Sequence, residues 1–585
     1  MPTRREILGS ALFALLSNQS SAAEQTPAPL ADLNFLDRRA SEQHARALRG
    51  NLRYVDHEVF GDPAGIAIEE AALNGAEDAG FSSEAALPTG WQVMPIAGKD
   101  ITFTRVAPAL GRLQVRGEGA GQFFINMAAS RHFAVKQGEL LTGSLALRSV
   151  SREAGGLVKV ELCIQQVKSD GSVASPVAVT IQLLQTDQPW WEQVRATATA
   201  DGFAILALRV TTKARFDITF ELHSPQLERR AWRSTFCATS RKDDDVTLTD
   251  PDRYLSHPER SVLLTADAPR FVASGALWCE YGDPDNYVEI QQRERVLYAK
   301  VVSKGSPSEV RLGIVPPLMR FTVCLAQDAK GLAASLNGKP LKTIDCEMPV
   351  GLKLARLGSG VSGSWNSTIA ALTLFAGKVV NCAALSRPDK VFFDDFDRPD
   401  SPNLGVSPTG QVIRKTGAVG SAISGRKWVV AGVGVSFSNA AYGVVRLGRP
   451  PRYLGAVVNW TSGSPGGAAA MLAATDDDPR RSINALHAVL TDQKEIFQTM
   501  IANKVETALA EFVYPVPMAR DGTTAYGVAC LINYQERAVV YVGPQGDLAR
   551  HVHPTYTERA GQLAIFEHYW QLTQCRPEFL AVAAG

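Results

Sequence analysis

The chain is poor in cysteine, with eight in 585 residues and none in a Cys-x-x-Cys arrangement. That excludes a disulfide-dense scaffold and the common thiolate zinc site. Charge of one sign is also missing, since 60 Lys and Arg stand against 59 Asp and Glu for a net +1. No overall basic field exists to gather nucleic acid or an anionic membrane. Nucleic acid is therefore not an expected partner, and a neutral ligand, or none, is. The Gly-x-Ser-x-Gly elbow of serine hydrolases is absent, residues 360–364 reading Gly-Val-Ser-Gly-Ser. So are a Walker loop and a dinucleotide fingerprint in a strand–helix setting.

Long apolar runs are lacking too. Residues 7–16 form the most apolar early stretch, preceded by Arg4-Arg5 and followed by small residues and a Pro-rich segment. This is far short of the ~20 residues a bilayer needs and reads as an export signal over 1–23. Thr3-Arg4-Arg5-Glu6-Ile7-Leu8 resembles the twin-arginine signal, an ordinary secretory signal being the alternative. Periplasm or extracellular space is the expected location, with no transmembrane segment. Residues 24–86 read as helix and linker, because 30–49 carry Leu, Ala, Arg and Glu without Gly or Pro. The helix offers a surface for self-association, which makes a homo-oligomer one expected state.

From Leu87 onward the texture is all-β. Runs such as 158–167 (VKVELCIQQV), 204–212 (AILALRVTT) and 216–222 (FDITFEL) alternate apolar and polar residues between Gly, Asp and Ser turns. Polar breaks at 241–245 (RKDDD) and 385–389 (LSRPD) divide this texture into three blocks, 87–240, 241–388 and 389–585. The segment 480–509 fits either a helix or two more strands, and strands are expected by analogy. Cys279, Cys324, Cys346 and Cys382 share one block and Cys530 and Cys575 another, so bridges within a block and buried free thiols both stand open.

Trp190 and Trp191 open one of these strands, where successive side chains point to opposite faces. Counting by twos groups Trp190 with Val194 and Ala196, and Trp191 with Gln193 and Arg195. Trp191, Gln193 and Arg195 are thus glycan-binding candidates, an exposed ring stacking a sugar and polar neighbours fixing its hydroxyls. Trp365 beside Asn366 is a second such candidate. Glu280, Asp283, Asp285 and Glu289 come nearest to a paired-carboxylate motif, but their spacing does not match that of a glucanase. Asp283, Asp285 and Asn286 supply the oxygen types that calcium takes, and an ordinary turn is the alternative. Asp394, Asp395, Asp397 and Asp400 form another acidic cluster expected in a loop, and the His551/His553 pair lacks a third metal ligand fixed by spacing.

The stretches 87–91, 133–149, 191–210 and 224–236 resemble the carbohydrate-binding jelly rolls of secreted bacterial and phage-tail proteins. In that family the tryptophan opening this strand is often framework, which implies packing for Trp191. Residues 285–291, 332–341, 354–360 and 365–375, and then 392–405, resemble concanavalin A-like lectin/glucanase sandwiches. The resemblance implies three tandem β-sandwiches, jelly-roll and concanavalin A-like, after a short N-terminal helix and linker. It implies non-catalytic binding of extracellular or cell-surface polysaccharide. The alternatives are a glycan-cleaving hydrolase or lyase with carboxylates from different strands, and a phage-like structural or attachment protein.

If the export signal is of the twin-arginine type, Arg4→Lys with Arg5→Lys holds the precursor in the cytoplasm, because that route reads the pair as an address. Cell fractionation checks this, and normal export of the double variant restores the ordinary secretory signal.

Overall fold

The computed structural model describes residues 28–585 except 51, 57–61, 70–71, 83–86, 96–97, 108, 130–131, 154–155, 181–189, 231–232, 234–239, 243, 271–273, 389–390, 418–419, 432–440, 466, 477–483, 502–504, 514–516, 536–537, 545, 547, 553–561 and 570–575. The export signal, His553, Cys237 and Cys575 lie outside the described residues. The regular secondary structure of the described chain is nearly all strand, in antiparallel sheets.

The first sandwich packs a six-stranded sheet on a five-stranded one. Alternation decides which side chains fill it: Val160, Leu162 and Ile164 of Leu157–Lys168 meet Leu206, Leu208 and Val210 of Gly202–Thr212 in one buried cluster. Ile218, Phe220 and Leu222 come into that cluster from the opposite sheet.

The second sandwich draws on more chain than its block. Its eight-stranded sheet is centred on Ser367–Ala376, which pairs with Arg260–Asp267 along one edge. Its other edge is shared by Pro63–Ile68 and Ala31–Asn34. Arg53–Asp56 extends the sheet beyond Pro63–Ile68. Leu33, Phe35, Ile66 and Ile68 are all buried in the core with Trp278, Phe321 and Trp365. Residues 24–86 do contain a helix, Ser41–Ala47, but they are not a linker. The isolated apolar positions on 30–68 follow strand spacing over segments too short to register as strands in the sequence.

The first sandwich is accordingly an insertion within the second. Ala72–Leu73 pairs with Ser240–Arg241 at its neck. Just below, the Arg53 guanidinium bonds Asp244 and reaches Glu69 at 3.2 Å, while Glu69 N donates to Asp244 at 2.9 Å. Asp244, expected in a solvated break, is 3% exposed. Its charge is consumed by this clamp.

The third sandwich has one sheet around Pro577–Ala584 and Tyr453–Trp460 and another around Leu563–Tyr569 and Ala468–Ala474. The ambiguous segment forms strands as expected, but three rather than two: Asn484–Thr491, Lys494–Ile501 and Val505–Val513. This sandwich is bolted to the second. Lys339, 3% exposed, donates to Asp395 at 2.7 Å and to the Leu312 carbonyl at 2.8 Å. Tyr453 donates to the Pro317 carbonyl at 2.8 Å across the same joint. The acidic cluster at 394–400 is therefore structural: Asp394 pairs with Arg398 at 2.7 Å, and Asp397 meets Lys339 and Lys342 at 3.4 and 3.3 Å.

Fragment 241–388, cut at the polar breaks, lacks the strands between Ala31 and Ile68. It is expected to be insoluble or to melt without cooperativity, while 28–388 melts cooperatively. Ile66→Ala in the full chain should cost about 2–5 kcal/mol. Calorimetry of the three proteins checks both, and a cooperative melt of 241–388 would show the N-terminal strands to be dispensable.

Candidate functional site

The two tryptophan-centred candidates are structural. Trp365 is 1% exposed, donates its indole N–H to the Asp267 carbonyl at 3.1 Å and meets Phe321 edge-on. Asn366 has φ 56° and donates its amide to the Ser364 carbonyl at 3.0 Å, a turn-forming role that αL-tolerant Asn suits. Trp191 is half-buried, with the Arg233 guanidinium 3.9 Å over its ring centre and His223 against its edge. One face of the ring is occupied, in keeping with the framework role the family resemblance implies. Gln193 is buried and accepts from Arg270 of the second sandwich at 3.3 Å, so it tethers two sandwiches. Arg195 is half-buried in the same strand, Trp190–Thr197. The Trp190 side chain lies outside what is described.

Asp283, Asp285 and Asn286 close a hairpin. Asp283 accepts from Asp285 N at 2.9 Å and from the Asn286 amide at 3.0 Å, and Asn286 Oδ1 accepts from Lys304 N at 3.1 Å. Turn bonds thus engage Asp283 and Asn286, and among the described residues no group of three His, Cys, Asp or Glu is placed to hold a metal.

The remaining carboxylates separate by face. Glu280 points into the core, fully buried, where Arg260 donates twice, at 2.9 and 2.7 Å, and Gln327, Tyr254 and Trp278 also donate. Glu289 pairs with Cys279, one position off the register of Glu280, and points outward. A plain hairpin continued from the Asp283–Asn286 pair would set Glu280 directly opposite Glu289. The bulge between Tyr281 and Asp283 shifts the register by one and puts the two on opposite sides of one sheet.

That outer surface of the seven-stranded sheet is the candidate site. Cross-strand pairing lays one row across all seven strands: Arg49, Thr247, Arg356, Cys279, Glu289, Lys300 and Glu309. The neighbouring row brings Tyr281, Tyr287 and Val302 side by side, and the row on the other side Gln291, Tyr298 and Arg311. Inward positions of these strands fill the core, so the polar and aromatic residues have nowhere to point but outward. Arg356 lies 5.2 Å over Tyr281, Lys300 5.3 Å over Tyr287 and Arg293 4.2 Å over Tyr298. The rings are held by cations; Tyr281 and Tyr298 are half-buried and reach the surface, whereas Tyr287 is buried against Cys279 and Val302. Sequence reasoning missed this face because its residues come from seven separate runs, though the out-facing Tyr, Lys and Glu of 296–309 carried the signal.

A short hairpin, Ser359–Gly360 with Gly363–Ser364, folds over part of the surface. A side chain at Gly360 would collide with Glu289, Ala276 and Cys279, so only glycine lets the backbone sit this close. Ser362 donates to Glu289 through its hydroxyl at 2.6 Å and its N–H at 3.1 Å. The same hydroxyl contacts Gln291 Oε1. One hydroxyl hydrogen faces two acceptors, so a proton on Glu289, or a turned Gln291 amide, completes the set. Burial pushes the Glu289 carboxyl above its ordinary value, against the pull of Ser362 and Lys300. Burial likewise pushes the Cys279 thiol beneath the hairpin far up and leaves it inert as a nucleophile.

A groove of about 540 Å³ elsewhere on the second sandwich is lined by Leu255, Met348, Val350 and Arg260. Arg260, the one cation of its lining, is committed to Glu280, and Glu347 to Lys304 at 2.6 Å; Asp252, Ser256 and Asp328 are its other polar side chains.

No protein-family model matches the chain, and no curated protein matches it. Among solved structures it is similar to the CBM40 of the Ruminococcus gnavus IT-sialidase bound to α2,3-sialyllactose, at 12% identity and TM-score 0.20, over 23% of this chain and 84% of that one. It is similar to the carbohydrate-binding module CBM66 from Bacillus subtilis at 12% identity and TM-score 0.21, over 29% and 92%. Domains LG4-5 of mouse laminin α1 match at 14% identity and TM-score 0.17, over 56% and 81%. Likeness at this level carries no argument about function, which rests on the site.

Glu289 gives a pH test. Its folded value is raised above the ordinary 4.5, so the folded state holds the proton more tightly and stability falls as pH rises from about 4.5 through the raised value. Glu289→Gln should therefore gain stability relative to the parent at pH 7 and lose that gain at pH 4. Thermal melts at the two pH values decide it, and an equal difference at both would show the carboxyl to be unperturbed.

Proposed function

We infer that the chain binds extracellular or cell-surface polysaccharide without cleaving it, through the outer face of the second sandwich. The observation that carries this reading is the outer sheet face on which the half-buried Tyr281 and Tyr298, together with the buried Tyr287, are interleaved with Arg356, Arg293 and Lys300. Such a surface offers many fixed donors, phenol and guanidinium, over a width suited to a chain of hydroxylated rings. Recognition here works by hydrogen bonding and charge more than by stacking on an open indole. Trp91, Trp278, Trp365, Trp428 and Trp460 are all buried. A binding role is favoured over glycan cleavage because Glu280 and Glu289 face opposite sides of the sheet, whereas a glycosidase needs two carboxyl groups flanking one bond. The reading suits a periplasmic or extracellular protein, as the Arg4-Arg5 signal does.

The test is a polysaccharide array followed by titration. Binding is expected without release of reducing ends, and Tyr281→Ala with Tyr298→Ala should weaken it about ten- to a hundred-fold at nearly unchanged melting temperature. Release of reducing ends would replace this reading with the hydrolase one.

A further inference from the structure

Although the chain as a whole is balanced in charge, the outer face of the second sandwich is not. Its outward strand positions carry five cations, Arg49, Arg293, Lys300, Arg311 and Arg356, against two carboxylates, Glu289 and Glu309. Glu309 is already neutralised by Arg293 at 2.6 Å. Glu289 is buried beneath the hairpin and bonded by Ser362. Among the described residues, Arg49, Arg311 and Arg356 have no carboxylate within ion-pair distance. The Nε atoms of Arg311 and Arg356 are buried without any hydrogen-bond partner. With Nε packed into the surface the guanidinium is held in place, and its terminal Nη donors, which no carboxylate of the described residues engages, are left for an acceptor that arrives with the ligand.

The spacing narrows the choice. Arg49 and Arg356 lie two strands apart in the row and Lys300 three strands further on, with Arg311 on the edge strand beyond. At about 4.8 Å per strand the cations stretch over roughly 25–30 Å, too far for one small anion to bridge. A chain crossing the strands meets them in succession.

We propose that the ligand of this face is an anionic polysaccharide, bearing carboxylate or sulfate groups that pair with Arg49, Arg356 and Arg311. The proposal rests on the glycan-binding reading of the same face and adds the ligand's charge. Carboxylate and sulfate share the acceptor geometry that a guanidinium fork reads, and separate arms distinguish them.

The experiment titrates the full chain with polygalacturonate and its neutral methyl ester, and with dextran sulfate and neutral dextran. The charged member of at least one pair is expected to bind ten-fold or more tighter, with affinity falling as salt rises from 50 to about 200 mM. Arg49→Gln, Arg311→Gln and Arg356→Gln keep the stems in place, so each should weaken charged binding about five- to ten-fold with little change in melting temperature. Arg253→Gln, which removes the same charge from an exposed helix outside the face, should leave binding unchanged. Equal affinity for charged and neutral members overturns the anionic ligand and leaves the glycan reading standing. Binding of none of the four overturns both, and loss on Arg253→Gln equal to that on Arg356→Gln overturns the proposal by showing diffuse attraction in place of a site.

Discussion

The structure depends most on the backbone pairing along one edge of Ser367–Ala376. Ser367, Thr368 and Ile369 pair with Ile68, Ala67 and Ile66, and Ala371 to Leu374 pair with Asn34 through Ala31. Without those strands this edge would lie open beside a core that includes Phe321 and Trp365, and the sandwich would present an unpaired strand ready to aggregate. With them, the core closes and the opposite sheet acquires a firm inner surface. The row from Arg49 to Glu309 can then be held in register over seven strands.

The same sheet separates two uses of charge. Inside, Glu280 and Arg260 satisfy one another with Gln327, Tyr254 and Trp278, a buried network that specifies one packing of the core. Outside, Arg356, Lys300 and Arg293 lie over tyrosines, and Arg311 and Arg356 meet no carboxylate among the described residues. The joint with the third sandwich follows the inner pattern: Lys339, Asp395 and Asp397 are almost wholly withdrawn from water. Buried pairs of that kind hold orientation more than they add stability. Acidic residues that look like a metal cluster in sequence thus become a fixed joint.

The all-β class, the turns and the strand character of 484–513 were legible because alternation is local. The N-terminal strands were not, since Ala31–Asn34 is four residues long and its partner lies more than three hundred positions away. Trp365 misled for a related reason: a tryptophan beside an Asn in a glycine-rich turn has the composition of a binding loop, and only the fold shows its N–H committed to Asp267. Whole-chain charge misled in another way. A net +1 is an average, and the average hides the segregation of cations such as Arg49, Arg311 and Arg356 onto one surface. Glu280 and Glu289 were correctly noticed, but their faces depend on a bulge that no spacing count foretells.

The insertion of the first sandwich has a consequence for how the chain reaches its native state. Asp32 and Thr373, which share a hydrogen bond, are 341 residues apart. At about 5–20 residues per second of synthesis, the early strands wait roughly 15–70 s for their partner. During that interval the inserted unit can complete itself, since its own two ends meet at Ala72–Leu73 and Ser240–Arg241. Once it has, its residues count as a few, so the loop between Asp32 and Thr373 shrinks from about 340 to about 170 residues and closes at about 0.6 kcal/mol lower entropic cost. The inserted module thus acts on the parent sandwich as an internal splint, and replacing it with a flexible linker of equal length would slow assembly without touching a single residue of the parent's core.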